Sequence, residues 1–194
     1  MDAELVALLE ALHREGREFD AGQPDRLSRR RNLEPETAAL LALLVEALAP
    51  QHLLELGTSN GYSTIWLADA ARRIGASLVS VEIERQRVEQ ARANLVRAGL
   101  SDQVQLRCAD AAEVLAQSQD AQWQFVFLDA ERPAYVGYWP QLMRVLAPGG
   151  LLVVDNVISH ADELQGFRAL VSGQDGVREA LAPTGAGALL VLRS

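Results

Sequence analysis

The sequence contains no lysine, because all 18 of its basic residues are arginine. A guanidinium stays protonated at every pH near neutrality, so the chain has neither a lysine general base nor a lysine that forms a Schiff base. It has one cysteine, Cys108, which excludes an intrachain disulfide and a cysteine-based zinc cluster.

Long apolar runs are also missing, and none is long enough to cross a bilayer. The first 20 residues lack the basic start and apolar centre of a signal peptide. Basic charge is scarce: 26 acidic residues against 18 basic ones give a net charge of −8. Duplex-binding proteins usually show a basic face, so this charge argues against nucleic acid as a partner. We therefore expect a cytoplasmic protein that binds no membrane and no nucleic acid.

Helical spacing of apolar residues marks the N-terminal quarter of the chain. It occurs in Leu5–Leu12 and Ala38–Leu48 and predicts two helices within residues 1–48. The polar stretch between them, Glu15–Arg31, is expected to be irregular. It ends in Arg29-Arg30-Arg31, a run that we interpret as a solvated face, with a clamp for an acidic substrate group as the alternative.

From His52 onward, short apolar runs alternate with helical patterns. The predicted strands are His52–Leu56, Leu78–Glu82, Val104–Cys108, Phe125–Asp129 and Leu151–Asp155; the predicted helices are Ser63–Ile74, Arg85–Ala98, Ala111–Gln117, Tyr135–Leu146 and Asp162–Ser172; Val177–Ala182 and Ala188–Leu192 are expected to form a closing hairpin. Continuous rather than alternating hydrophobicity is typical of parallel strands that are buried on both faces. The chain, residues 1–194, is therefore predicted to be one α/β domain: a Rossmann-like three-layer sandwich over 49–194, with a mostly parallel seven-stranded sheet, a C-terminal antiparallel strand and N-terminal helices.

Polar residues gather where the predicted strands end, which is where open α/β sheets bind ligands. The first strand leads into a turn from Gly57 to Gly61, and glycines let a backbone approach a ligand closely. A dinucleotide fingerprint would need a third glycine where Ser59 stands. The carboxylate of Glu55 would also repel a pyrophosphate, whereas it suits a cationic ligand such as a sulfonium with an amino group. The alternative is an ordinary strand-to-helix turn.

Two further carboxylates end the next strands. Glu82 lies 25 residues after Gly57 and is placed to accept hydrogen bonds from both hydroxyls of a ribose. Asp110 follows the third strand and opens a helix, so it is interpreted as an N-cap or as an acceptor for an adenine amino group, and the two roles are compatible.

Three oxygen ligands are predicted to meet at the next two strands. Asp129 ends the fourth strand, and Asp155 and Asn156 end the fifth. Two carboxylates and one amide carbonyl suit a hard cation such as Mg²⁺. The alternative is that Asp155 and Asn156 only cap a turn.

The segments LLELGTSNGYST, VSVEIE, the Cys108-Ala109-Asp110 turn, FVFLDAERPAY and LLVVDNV, in that order, resemble class I S-adenosylmethionine-dependent methyltransferases. More narrowly, they resemble the metal-dependent O-methyltransferases typified by catechol and caffeoyl-CoA O-methyltransferases, over residues 33–192. The resemblance implies S-adenosylmethionine as cofactor, a divalent cation such as Mg²⁺, a small hydroxylated acceptor and a homodimer. The roles that it implies are Glu55, Gly57, Tyr62 and Ser63 at the methionine end of the cofactor, Glu82 at the ribose, Asp110 near the adenine, Asp129 for cofactor and metal, and Asp155 and Asn156 for the metal.

Position 132 departs from that family. Similar enzymes carry a lysine there that is thought to help deprotonate the hydroxyl, and this chain has Arg132. Arginine cannot act as a base near neutrality but can stabilise a phenolate as a fixed cation. Asp129 and Arg132 are therefore the catalytic candidates.

Other residues near the site are given structural interpretations. His160 is expected on the surface or at a helix cap, with a general base as the alternative. Tyr135, Tyr138 and Trp139 are expected in the core rather than around a substrate, and Cys108 in the core rather than beside the adenine.

Together with these residues, the resemblance implies a Mg²⁺-assisted O-methyltransferase for a catechol-like or vicinal hydroxyl acceptor. The alternatives are a methyltransferase of the same fold with another acceptor or no metal, and a non-catalytic module that binds S-adenosylmethionine.

Overall fold

The computed structural model of the chain describes residues 1–25 and 29–194. Two helices open it, α1 (Ala3–Ala21) and α2 (Pro35–Leu48). The side chain of Asp2 caps α1 by accepting the backbone N–H of Leu5 at 2.9 Å. Pro35 stands in the first turn of α2, where its missing N–H would have had no partner.

Helix α1 is longer than its apolar spacing predicted, because it continues through Glu15 to Ala21. A glycine inside a helical pattern suggests a break, but Gly16 is buried and serves close packing. An added Cβ at Gly16 would collide with the side chain of Asn32, whose amide donates to the carbonyl of Leu12 at 3.0 Å. Residues 26–28 of the stretch that we expected to be irregular lie outside the described residues.

The alternation of strands and helices after α2 follows the prediction. The elements are β1 (His52–Leu56), α3 (Tyr62–Ile74), β2 (Ser77–Glu82), α4 (Arg85–Arg97), β3 (Val104–Cys108), α5 (Ala111–Gln117), β4 (Trp123–Leu128), α6 (Tyr135–Val145), β5 (Leu146–Val154), α7 (Gln165–Ser172), β6 (Val177–Ala182) and β7 (Ala188–Arg193). Strand β5 begins earlier than predicted because its register against β4 shifts between Trp123 and Phe125, so the glycine pair before Leu151 lies within the strand instead of ending a turn. Helix α7 begins three residues later than predicted, after a turn.

The seven strands form one sheet in the order β3-β2-β1-β4-β5-β7-β6. The first five strands pair in parallel, and β7 runs antiparallel to both of its neighbours. After β1 the chain builds outward to β2 and β3, and it then returns to the other side of β1 with β4. This reversal is the topological switch point of the sheet, and ligands of such sheets bind at the carboxyl ends of the strands there.

Alternate residues of the central strands face two separate cores. Leu53 and Phe125 pack under α1–α4, whereas Leu54 and Val126 pack under α5, α6 and α7. The predicted three-layer α/β sandwich with a C-terminal antiparallel strand is therefore confirmed. None of the helices within residues 1–25 and 29–194 combines the length and the apolar character needed to span a bilayer.

Candidate active site

A cavity of about 700 Å³ opens at the carboxyl ends of the parallel strands, beside the switch point. Its lining includes seven of the ten predicted site residues: Gly57, Glu82, Asp110, Asp129, Arg132, Asp155 and Asn156. These residues come from the ends of five strands, β1 to β5, that are far apart in sequence. The other three predicted residues, Glu55, Tyr62 and Ser63, do not line it.

The turn after β1 lies directly against the turn after β4. Gly57 has a φ of 108°, and an added Cβ would collide with the carbonyl of Asp129. Only glycine fits here, because the conformation is left-handed and the two backbones touch. The turn is held to β2 by the N–H groups of Gly57 and Thr58, which donate to the carbonyl of Val81 at 2.9 and 3.1 Å.

Glu82 is nearly buried at the end of β2 and is fixed by two backbone donors. Its Oε2 accepts the N–H of Ser59 at 2.9 Å, and its Oε1 accepts the N–H of Glu84 at 3.0 Å. Each carboxylate oxygen retains a lone pair for a further donor. Glu82 is therefore a rigid acceptor that faces the cavity, as a pair of ribose hydroxyls would require.

Asp110 is the N-cap of α5, since its Oδ1 accepts the N–H of Ala112 at 2.7 Å. It also lines the cavity. Capping uses one oxygen, so the capping role and the adenine role remain compatible.

Glu55 is completely buried beneath the turn rather than open to the cavity. It accepts hydrogen bonds from the hydroxyls of Ser63, Thr64 and Ser80 at 2.6, 2.5 and 2.6 Å. Burial raises the pKa of its carboxyl group from about 4.5 to about 7, against the opposing effect of these hydroxyls. Glu55 and Ser63 thus join β1, α3 and β2 into one rigid base under the turn.

Tyr62, at the start of α3, lies against α1. Its ring is 5.7 Å from the ring of His13 in α1. It lines a second cavity of about 670 Å³ between α1 and α3, which shares His13, Arg17 and Ala21 with the main one.

Asp129 and Asp155 form a carboxylate pair at the ends of the neighbouring strands β4 and β5. The amide of Asn156 lies between them, donating to Asp129 Oδ1 at 3.1 Å and to Asp155 Oδ2 at 2.9 Å. Asp155 Oδ1 is buried and has no hydrogen-bond partner among the described residues. Loss of water raises the pKa of both carboxyls, that of Asp155 to about 6, and Asp155 raises that of Asp129 further.

The side chains of the three predicted metal ligands therefore meet at one point, although the Asn156 oxygen is turned toward the Ser159 hydroxyl, 3.4 Å away. Within residues 1–25 and 29–194, no group of three or more His, Cys, Asp or Glu side chains has an arrangement suited to a metal ion. The present set contains only two such residues, and its third donor is an amide. Its oxygen-only chemistry and the unpartnered Asp155 Oδ1 fit a hard divalent cation.

Arg132 is buried in the wall of the cavity beside the carboxylate pair. Its Nε donates to Glu163 Oε2 at 2.8 Å, and its Nη2 has no hydrogen-bond partner among the described residues. The guanidinium lowers the pKa of both Asp129 and Asp155. It is thus a fixed cation with one donor still available to a ligand.

The Arg29-Arg30-Arg31 run lies along the cavity wall and is half-buried, rather than forming the solvated face that we expected. Arg31 Nη2 donates to Glu131 Oε1 at 2.6 Å, and the carbonyl of Arg30 accepts the Ser59 hydroxyl at 2.9 Å. The run therefore connects the turn after β1 with the turn after β4. Sequence analysis missed these partners, because Arg31 and Glu131 are 100 positions apart and no local pattern relates them.

The remaining candidates divide between core and surface. Tyr135 and Trp139 are buried as predicted and pack edge-on against Phe167. Tyr138 lines the cavity, as does the half-buried His160, whose Nδ1 lies 2.8 Å from the Ser159 hydroxyl. The prediction of a core position for Cys108 is wrong, since β3 is an edge strand and its last residue is exposed.

Comparisons with known proteins identify the family to which the chain is similar. A family model described as O-methyltransferase matches residues 6–167. Catechol O-methyltransferase of Niastella koreensis is 37% identical over 130 residues, which cover 66% of this chain and 58% of that protein. Catechol O-methyltransferase of Mycobacterium tuberculosis is 38% identical over 118 residues, which cover 61% of this chain and 53% of that protein. The matched region thus spans little more than half the length of these relatives.

Solved structures match over the whole chain. The O-methyltransferase of tomaymycin synthesis from Streptomyces achromogenes, in complex with S-adenosylmethionine, is 28% identical with a TM-score of 0.79. The match covers 100% of this chain and 91% of that one.

Proposed function

This chain belongs to the O-methyltransferase family, and from that premise we propose that it transfers a methyl group from S-adenosylmethionine to a hydroxyl of a small catechol-like or vicinal-diol acceptor. The observation that carries the proposal is one cavity with two kinds of site side by side. Glu82 and Asp110 would offer acceptors to a nucleoside at one end, and Asp129 and Asp155, with the Asn156 side chain between them, would offer carboxylate oxygens to a cation at the other.

The cofactor half of the proposal is supported by the contacts around Glu82. Its carboxylate is held rigidly by the N–H groups of Ser59 and Glu84, so no reorganisation is needed when the two ribose hydroxyls bind. Asp110 lies at the end of the next strand, where the adenine would extend. The methionine end of the cofactor would then lie beside the turn at Gly57, which lines the same cavity.

The metal half is supported by the donor set. Asp129, Asp155 and Asn156 would hold Mg²⁺ or another divalent cation, with the unpartnered Asp155 Oδ1 available as a ligand. A bound cation would orient two adjacent hydroxyls and lower the pKa of the attacking one.

Arg132 would act on the acceptor directly. Its guanidinium cannot take a proton, so the hydroxyl proton leaves to solvent and Arg132 stabilises the oxygen anion that remains. The oxygen lone pair then forms the new bond to the methyl carbon, the carbon–sulfur bond breaks, and its electron pair stays on sulfur to give S-adenosylhomocysteine. Alignment of oxygen, carbon and sulfur is the main contribution left to the protein.

A metal-free methyltransferase is the second candidate, and the Asn156 amide favours it. By donating to both carboxylates, this amide already compensates the pair without a cation. The same protein would then position an acidic hydroxyl by Arg132 alone.

A methyl-transfer assay with a catechol acceptor separates these candidates. We expect turnover with Mg²⁺, loss in excess EDTA, and recovery when Mg²⁺ is restored. Asp155→Asn should lose turnover, whereas the exposed Asp102→Asn is the matched control and should keep it. Full turnover in EDTA would exclude the metal-assisted reaction, and cofactor binding without methylation of any hydroxylated acceptor would exclude the transferase.

A further inference from the structure

Six arginines line the main cavity, in a chain whose net charge is −8. Four of them have polar partners: Arg31 pairs with Glu131, Arg132 with Glu163 and Arg87 with Glu84, and Arg29 donates to the carbonyl of Gln23. The other two, Arg17 and Arg30, have no carboxylate within ion-pair distance in the part of the chain that the structure describes. An acidic protein thus keeps two uncompensated guanidiniums at the edge of its cavity.

Two hydrogen bonds hold the main chain of Arg30, and its guanidinium remains available to a ligand. Its N–H donates to Asp20 Oδ1 at 2.7 Å, and its carbonyl accepts the Ser59 hydroxyl at 2.9 Å. Asp20 is the carboxylate next to it, but the N–H of Arg31 takes the second oxygen at 2.9 Å. The guanidinium lies over the Phe19 ring, 4.4 Å from its centroid, and its Nε is buried without a partner in the described chain.

Arg17 reaches the same wall of the cavity from α1. It follows His13 by one helical turn, and both residues line the main cavity and the groove between α1 and α3. Arg17 and Arg30 therefore come from the N-terminal part of the chain, while the proposed nucleoside acceptors Glu82 and Asp110 come from the ends of β2 and β3. The segment that carries Arg30 lies beside the turn that carries Asp129, because the adjacent Arg31 donates to Glu131 Oε1 at 2.6 Å.

We propose that Arg17 and Arg30 form a carboxylate-binding subsite, and that the carboxylate belongs to the methyl acceptor. The planar guanidinium fork matches a carboxylate through two parallel hydrogen bonds, and the buried Nε of Arg30 supplies an unused donor. The acceptor is then a small aromatic diol with an acidic side chain. This inference rests on the proposed function and extends it from reaction type to acceptor class.

The carboxylate of S-adenosylmethionine is the other source of the same chemistry, so the test needs a cofactor arm. Calorimetry in saturating S-adenosylhomocysteine and Mg²⁺ compares 3,4-dihydroxyphenylacetate with its neutral methyl ester. We expect the acid to bind about tenfold more tightly than the ester, which is the strength of a charge-assisted pair in a partly buried site. Arg17→Gln and Arg30→Gln should each reduce this preference, and the double variant should bring the ratio close to one.

Arg14→Gln is the matched control, since Arg14 lies on α1 but lines only the groove between α1 and α3. It should keep the full preference. Arg30→Lys separates a loss of binding from misfolding. It keeps the positive charge but not the planar guanidinium, so its ratio of acid to ester affinity should be intermediate. Each variant is also titrated with S-adenosylhomocysteine alone.

The outcomes are distinct. Equal affinity for acid and ester in the wild type, or no binding of either, overturns the subsite. An Arg30→Gln variant that weakens S-adenosylhomocysteine tenfold while keeping the acid preference assigns the guanidinium to the cofactor and also overturns it. Acid preference without methylation of the bound acid supports the subsite and counts against the proposed function.

Discussion

The side-chain amide of Asn156 donates to both Asp129 and Asp155, at 3.1 and 2.9 Å. This bridge is made from an unusual backbone, since Asn156 has a φ of 67°. Asparagine tolerates the left-handed region better than other residues with a Cβ. The backbone turn after β5 thus directs the amide between the two carboxylates.

Asn156→Gly tests that bridge without disturbing the backbone, because glycine adopts the same φ at no steric cost. Two donors to desolvated carboxylates are lost, so the free energy of unfolding without metal should fall by about 1–3 kcal/mol. Urea unfolding in EDTA measures this. Asn156→Ala should lose about 1 kcal/mol more from the left-handed conformation. A glycine variant as stable as the wild type would show that the bridge contributes nothing.

Gly57 is predicted to be the least replaceable residue of the turn. Gly57→Ala places a Cβ against the carbonyl of Asp129 and also strains a φ of 108°. We expect a loss of about 3 kcal/mol or more in the free energy of unfolding, together with loss of cofactor binding. Gly75→Ala is the control: its φ is 70°, but nothing lies within 4 Å of the added Cβ. It should cost about 1 kcal/mol, from backbone conformation alone, and equal losses in the two variants would contradict this reading.

The central strands of the sheet could be predicted from the sequence, whereas the position of the edge strand could not. The apolar runs that became β1 and β4 are buried on both faces, so their composition alone marks them as central strands. Cys108 was misplaced because it occupies an apolar position of β3, whose sequence VQLRC alternates apolar and polar residues, and the apolar positions of an edge strand are less completely covered. Edge position is a property of the assembled order of strands.

The site residues also divide into those whose position the sequence predicted and those whose direction it did not. Residues at strand ends, such as Glu82 and Asp155, were identified because parallel strands bring their ends together. Glu55 and Tyr62 also lie near the end of a strand. In the structure, however, Glu55 is buried beneath the turn after β1, and the ring of Tyr62 lies against His13 of α1. The direction of a side chain depends on helix packing, which sequence spacing does not contain.

Glu55 should make stability depend on pH. Its carboxyl has a pKa near 7 when folded and about 4.5 when unfolded, so between these values the folded protein binds the extra proton. Stability is then highest at the acid end and is lost as pH rises through 7, by an amount on the order of 3 kcal/mol. Urea unfolding at pH 5 and pH 8 should show this decline, and Glu55→Gln should reduce it. An identical decline in both proteins would remove Glu55 as its cause.

Arg132 should affect turnover rather than cofactor affinity. Arg132→Gln removes the cation that stabilises the acceptor oxygen, and kcat should fall by about ten- to a thousandfold. Affinity for S-adenosylhomocysteine, measured by calorimetry, should stay within twofold. Glu163→Gln removes the partner of Arg132 but keeps the cation, so its loss in kcat should be smaller. Equal kcat in Arg132→Gln and wild type would show that the guanidinium does not act on the acceptor.

The most direct test of the account is a calorimetric titration of the S-adenosylhomocysteine complex with Mg²⁺. A nucleoside site beside the Asp129, Asp155 and Asn156 side chains predicts that the wild type binds one Mg²⁺ per chain. The Asp129→Asn, Asp155→Asn double variant should bind no Mg²⁺ while it still binds S-adenosylhomocysteine. An absence of Mg²⁺ binding to the wild type, or equal binding to wild type and double variant, would contradict it.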